Sequence, residues 1–177
     1  MALTSHELLG SLLREVSRSF YLTLRVLPRS IRPQIGMAYL LARATDTIAD
    51  TRLVAVQKRL EALGALRGRI LGSHTASIDF GSLAEQQGTP GERALLSNIE
   101  PALSLLHGLS EADRSLVRQV LDTITSGQEL DLRRFGDLAA GDVRALQTPD
   151  ELDDYTCREI CARAAVTSRN NCSRTQV

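Results

Sequence analysis

The residues with the clearest capacity for chemistry are Asp46 and Asp50, in the stretch Tyr39-Leu40-Leu41-Ala42-Arg43-Ala44-Thr45-Asp46-Thr47-Ile48-Ala49-Asp50. Carboxylates four residues apart on a helix stack one turn above the other and point the same way. Exposed, such a pair repels by a few tenths of a kcal/mol; buried without compensation it costs far more. A hard divalent cation removes the repulsion, because Mg2+ takes carboxylate oxygens and bridges them to substrate phosphates. Arg43, three residues before Asp46, adds a planar donor fork that suits a diphosphate oxygen. A solvated acidic helix end has the same spacing, so the pair alone leaves both readings open.

The surrounding chain supplies helices to hold this stretch. Thr4-Ser5-His6-Glu7 has the form of a capping box, followed by Leu8, Leu9, Leu12, Leu13 and Val16 at helical spacing. Ser17-Arg18-Ser19-Phe20 then interrupts the apolar face with small hydroxyls and a cation, either an ordinary helix irregularity or a ligand contact. Pro28 ends that segment, and Ser30 is expected to cap the next helix, with Pro33 in its first turn and Asp50 near its end. A third amphipathic helix is expected over 53–71, with Lys58 and Arg59 on its exposed side. Gly72 to Gly91 is polar and reads as a loop.

Glu92 to Leu106 reads as a helix kinked at Pro101. Ser110 with Asp113 opens a further helix whose stripe comprises Leu116, Val117, Val120, Leu121 and Ile124. It runs on into Gly127-Gln128-Glu129-Leu130-Asp131-Leu132-Arg133-Arg134-Phe135, where Gln128, Asp131 and Arg134 make a polar edge that fits a cavity or solvent equally well. Thr148-Pro149-Asp150-Glu151 is the clearest helix start in the chain, with a hydroxyl cap, a proline at the first position and a carboxylate three residues after the cap. No period-two strand pattern is present, so the fold class is all-α.

Composition narrows the function. The chain has 177 residues, enough for one domain with a substantial core. Its formal net charge is zero and it contains no Trp, which gives no footing for nucleic acid. The absence of a long apolar run or a leader pattern points to the cytoplasm. Cys157, Cys161 and Cys172 do not match a common zinc spacing, so neither zinc nor a disulfide is expected.

Taken in order, four segments resemble one family. Ser17-Arg18-Ser19-Phe20, Tyr39 to Asp50, Gly127 to Phe135 and Leu152-Asp153-Asp154-Tyr155 are similar to the N-terminal half of squalene and phytoene synthases. The resemblance implies an isoprenoid-synthase helical bundle that joins two allylic diphosphates head to head. It implies that Asp46 and Asp50 hold Mg2+ on the departing diphosphate. Tyr39 and Arg43 would contact the same substrate, and Ser17, Arg18 and Ser19 would line the diphosphate pocket. Tyr155 would assist the rearrangement. The Asp46-Thr47 pair resembles squalene synthases more than phytoene synthases, which implies farnesyl diphosphate as substrate and NADPH as reductant. The alternatives are a phytoene synthase-like activity on geranylgeranyl diphosphate and a catalytically inactive helical fragment. Greasy products of this kind favour a peripheral membrane association.

The resemblance covers about 4–158, within a synthase-like domain expected over 1–158. From Glu159 to Val177 the chain has no Leu and no Gly and is rich in Arg and Ser, where the family continues into a Val-Ala-Gly turn and a second aspartate motif. This change of composition leads to the expectation of an atypical tail over 159–177, produced by a frameshift or a mis-called gene near residue 157, and of a chain inactive by itself.

Overall fold

The computed structural model describes residues 3–138, 142 and 144–164, excluding the side chains of Arg18 and of 157–164. The tail sequence beyond 164, with Cys172, and the side chains of Cys157 and Cys161 therefore lie outside the described residues. Thr4 caps α1 (Ser5–Glu7) as the sequence predicts, its hydroxyl accepting from the Glu7 amide while the Glu7 carboxylate accepts from the Thr4 amide. The helix then widens into a π turn over Leu8–Leu12 before continuing as α2 (Leu13–Val16), a local change that the leucine spacing did not announce.

The remaining described elements are α3 (Arg18–Val26), α4 (Arg32–Asp50), α5 (Val56–Leu71), α6 (Gly81–Glu85), α7 (Pro90–Ser97), α8 (Ile99–His107), α9 (Glu111–Phe135) and α10 (Pro149–Ala164). No strand occurs among the described residues. Helix α4 is central: α5, α7, α8 and α9 all pack on it, while α10 lies against α9. Leu40, Leu41, Ala44 and Ile48 of α4 are fully buried against Leu63 and Leu66 of α5, Leu95 of α7, Leu103 of α8 and Leu121 of α9, all in one core. Fully burying each large side chain contributes about 1.5–3 kcal/mol. The helix that carries the acidic pair is thus held by its own apolar face.

Several boundaries differ from the sequence reading. Helix α4 is preceded by Ile31 without a side-chain cap, so Ser30 does not cap it; Pro33 nevertheless sits in the first turn. Helix α5 starts at Val56 rather than Leu53, which is 80% exposed. The segment 72–91 contains α6 and the first residues of α7, with Thr89 accepting from the Glu92 amide. The break in the 92–106 region falls at Asn98, not Pro101. Pro101 lies in the first turn of α8, where a missing amide donor breaks nothing. Asn98 instead uses its side chain to accept from Leu3 N and donate to the Ala94 carbonyl, tying the N-terminus to the break.

The other helix starts match. Ser110 accepts from Asp113 N at the head of α9, and Thr148 accepts from Glu151 N at the head of α10. Leu116, placed in the α9 stripe by its spacing, is exposed, while Val117 and Leu121 are buried. Helix α5 ends at Gly72, whose φ of 82° lets Gly72 N and Ser73 N both reach the Gly68 carbonyl. Arg67 joins α5 to α9 through Asp122 at 2.7 Å and the buried Glu129 at 3.5 Å.

Candidate active site

Helix α4 can carry a polar motif through the core because its threonines are satisfied within the helix. Thr45, Thr47 and Thr51 donate to the carbonyls of Ala42, Arg43 and Thr47. At its C-terminal end, Arg59 of α5 is 6% exposed and donates Nη1 to the Ala49 carbonyl at 2.7 Å. The sequence pattern places Arg59 on the exposed side; burial wins because this guanidinium completes the end of α4, where carbonyls otherwise lack donors. Burial first, then the charge of Arg52, lowers its pKa, while Asp137 and Asp50 act to raise it.

Asp46 is half-buried and Asp50 is exposed. Gln128 of α9 donates its amide Nε2 to Asp46 Oδ1. The polar edge of α9 therefore meets the acidic stretch at Gln128. The Gln128 Oε1 atom is buried and has no hydrogen-bond partner. Asp131, half-buried, follows it on the same face of α9. Two aspartates and a buried amide oxygen are all hard oxygen donors, the type that Mg2+ takes. No cluster of three or more Asp, Glu, His or Cys suited to a metal occurs among the described residues.

The remaining predicted residues have contacts of their own. Arg43 pairs with Glu92 of α7, Nη2 to Oε1 at 2.5 Å. Glu92, which the sequence reading did not single out, is held in turn by the Thr89 hydroxyl. Tyr39 stacks on Phe20 of α3 with ring centroids 4.1 Å apart and planes 14° apart, fixing α3 against α4. Ser17 sits at the break between α2 and α3; it is 5% exposed and its hydroxyl lacks a partner. Arg18 opens α3, its side chain lying outside the described residues, and Ser19 is exposed. Tyr155 of α10 meets Phe135 edge-on at 6.3 Å, beside an Arg134–Asp154 pair at 3.7 Å. Phe135 is seven residues beyond Gln128, about two helical turns along α9. Tyr155 thus packs at the far end of the polar edge.

Comparisons with known proteins agree on one family. A family model described as squalene/phytoene synthase matches residues 13–162. A bifunctional lycopene cyclase/phytoene synthase of Blakeslea trispora is 38% identical over 56 residues, which is 32% of this chain and 9% of that protein. A solved structure described as TcSQS in complex with the ligand E5700 superposes with a TM-score of 0.63 at 20% identity, covering 87% of this chain and 40% of that one. At that identity the superposition carries the fold, the isoprenoid-synthase bundle. The chain spans well under half the length of either relative. With the match running through the acidic helix and the seam it makes with α9, the chain belongs to the squalene/phytoene synthase family.

Proposed function

We propose that this chain carries the first acidic half-site of a Mg2+-dependent prenyl transferase that joins two allylic diphosphates head to head. The observation behind the reading is the meeting of Asp46 with Gln128 at the α4–α9 seam, inside the segment matched to the family. Mg2+, when bound, neutralises charge on a departing diphosphate. Asp46 and Asp50 hold the cation. Arg43, released from Glu92, supports the same anion through its donor fork. The unmet hydroxyl of Ser17, with Arg18 and Ser19, completes the diphosphate pocket. Tyr39 contacts the substrate from its stack on Phe20, and Tyr155 assists the rearrangement.

We take farnesyl diphosphate as substrate and NADPH as reductant, in the squalene synthase manner; geranylgeranyl diphosphate, in the phytoene synthase manner, is the second reading. The chain by itself is expected to bind substrate without turning it over. Calorimetric titration with a non-hydrolysable farnesyl diphosphate analogue tests this. Binding should require Mg2+ and should fall more than tenfold in Asp46→Asn and Asp50→Asn. Equal binding by the wild type and both variants would reduce the chain to a structural module. Product analysis with each diphosphate, Mg2+ and NADPH separates the two substrate readings.

A further inference from the structure

Gln128 reaches the acidic stretch with a side chain that is only half satisfied. Its amide can donate through Nε2 and accept through Oε1. Nε2 donates to Asp46 Oδ1, while Oε1 is buried with no hydrogen-bond partner. A buried carbonyl oxygen without a donor costs stability and is uncommon in a folded protein. The two atoms hang from the same carbon, so a half-turn about the last side-chain bond exchanges their places. That torsion is broad and two-fold, so both settings are open to a glutamine. The backbone beneath need not move, because Gln128 lies inside the continuous helix α9 between the buried residues Gly127 and Glu129.

The two settings suit different states of Asp46. A bare carboxylate takes the Nε2 donor, as the structure shows. A carboxylate that holds a divalent cation is better served by the other setting: the hydrogens of Nε2 repel the ion, whereas Oε1 offers it a neutral hard oxygen, a donor type that such cations accept from side-chain amides. We propose that Gln128 is a further ligand of the cation held by Asp46 and Asp50, and that its amide turns over on binding, from donating to Asp46 to presenting Oε1. The turn gives the orphaned oxygen a partner. Before it, the Nε2 bond keeps Asp46 aimed at the seam with α9, as an outer hydrogen bond orients a metal ligand. The inference rests on the reading of Asp46 and Asp50 as a cation site.

Mn2+ is the probe, titrated into the full chain and followed by the electron paramagnetic resonance of the unbound ion. Gln128→Met removes both polar atoms at similar side-chain length and should weaken Mn2+ binding about tenfold. Gln128→Glu keeps an oxygen in place and should bind at least as tightly as the wild type. A residue that only donates to Asp46 gives the opposite result, since losing its bond leaves the carboxylate freer to take the ion. Binding by Gln128→Met as tight as that of the wild type, or tighter, would therefore overturn the inference. In a nitrogen-edited proton spectrum, the side-chain amide signal of Gln128, assigned by its absence from Gln128→Met, should shift as Mg2+ is added. A signal unmoved at saturating Mg2+ would also overturn it. Asp46→Asn keeps the two readings apart: if it binds Mn2+ as the wild type does, the cation site itself fails, whereas loss in Asp46→Asn without loss in Gln128→Met rejects the role of Gln128 alone. Circular dichroism of each variant checks that the fold is retained.

Discussion

Arg59→Met is the most informative single change, because it sets two opposing effects of known sign against each other at the end of the acidic helix. Methionine keeps much of the apolar stem and removes the guanidinium. Lost is a charge-assisted bond to the Ala49 carbonyl at 2.7 Å, worth about 1.5–3 kcal/mol, together with the cation at a helix C-terminus, worth about 0.3–1 kcal/mol. Gained is relief from burying a charge, including an Arg59 Nε atom without a partner, which returns about 1–2 kcal/mol. The net expectation is a destabilisation of about 1–2 kcal/mol. For a urea slope of about 2 kcal/mol per M, the midpoint should fall by about 0.5–1 M, read by far-ultraviolet circular dichroism. The last turn of α4, with Asp50 at its end, should also loosen, so affinity for divalent cation should fall in parallel. An unchanged or higher midpoint would refute the reasoning, since desolvation would then outweigh the bond that closes the helix.

Other outcomes follow from single contacts. Glu92→Gln removes the partner of Arg43 at a half-buried position; stability should drop by no more than about 1 kcal/mol, while Mg2+-dependent affinity for inorganic diphosphate should rise as Arg43 is released. Gly72→Ala forces a side chain into a φ of 82° and should cost about 1 kcal/mol, seen as a lower thermal midpoint. Glu7 has its carboxyl pKa lowered, first by the Thr4 amide and then by the Thr4 hydroxyl. Its folded pKa lies below the unfolded one, so its contribution is complete above the ordinary value near 4.5 and is lost as pH falls toward the folded value. Glu7→Gln should flatten that part of the stability–pH curve, as measured by urea unfolding at a series of pH values.

Local signals in the sequence located what local physics governs. Thr4, Ser110 and Thr148 each cap the helix their spacing marks, because a hydroxyl with an acidic residue three positions later satisfies orphan amides without help from elsewhere. The acidic stretch falls on one unbroken helix because apolar residues recur along it at helical spacing. Positions decided by distant partners were not legible. Arg59 belongs inside only because the Ala49 carbonyl needs a donor, and Asn98 rather than Pro101 breaks the chain because Leu3 and Ala94 engage its side chain. In the site, the polar edge of α9 could be read but its direction could not, since Gln128 and Asp46 meet across 82 residues. Arg43 was assigned by type, and its pairing with Glu92, 49 residues away, has no local trace.

That 82-residue separation also sets an order of events. Helices α4 and α5 can form and pair soon after synthesis, their contacts being close along the chain, but Gln128 reaches Asp46 only after a long loop has closed. The acidic stretch should therefore form as a helix before Gln128 joins it. Mutations along the inner face of α9, at Leu121 or Thr125, should accordingly delay the gain of cation affinity more than the gain of helicity, separating in time two signals that coincide in the finished molecule.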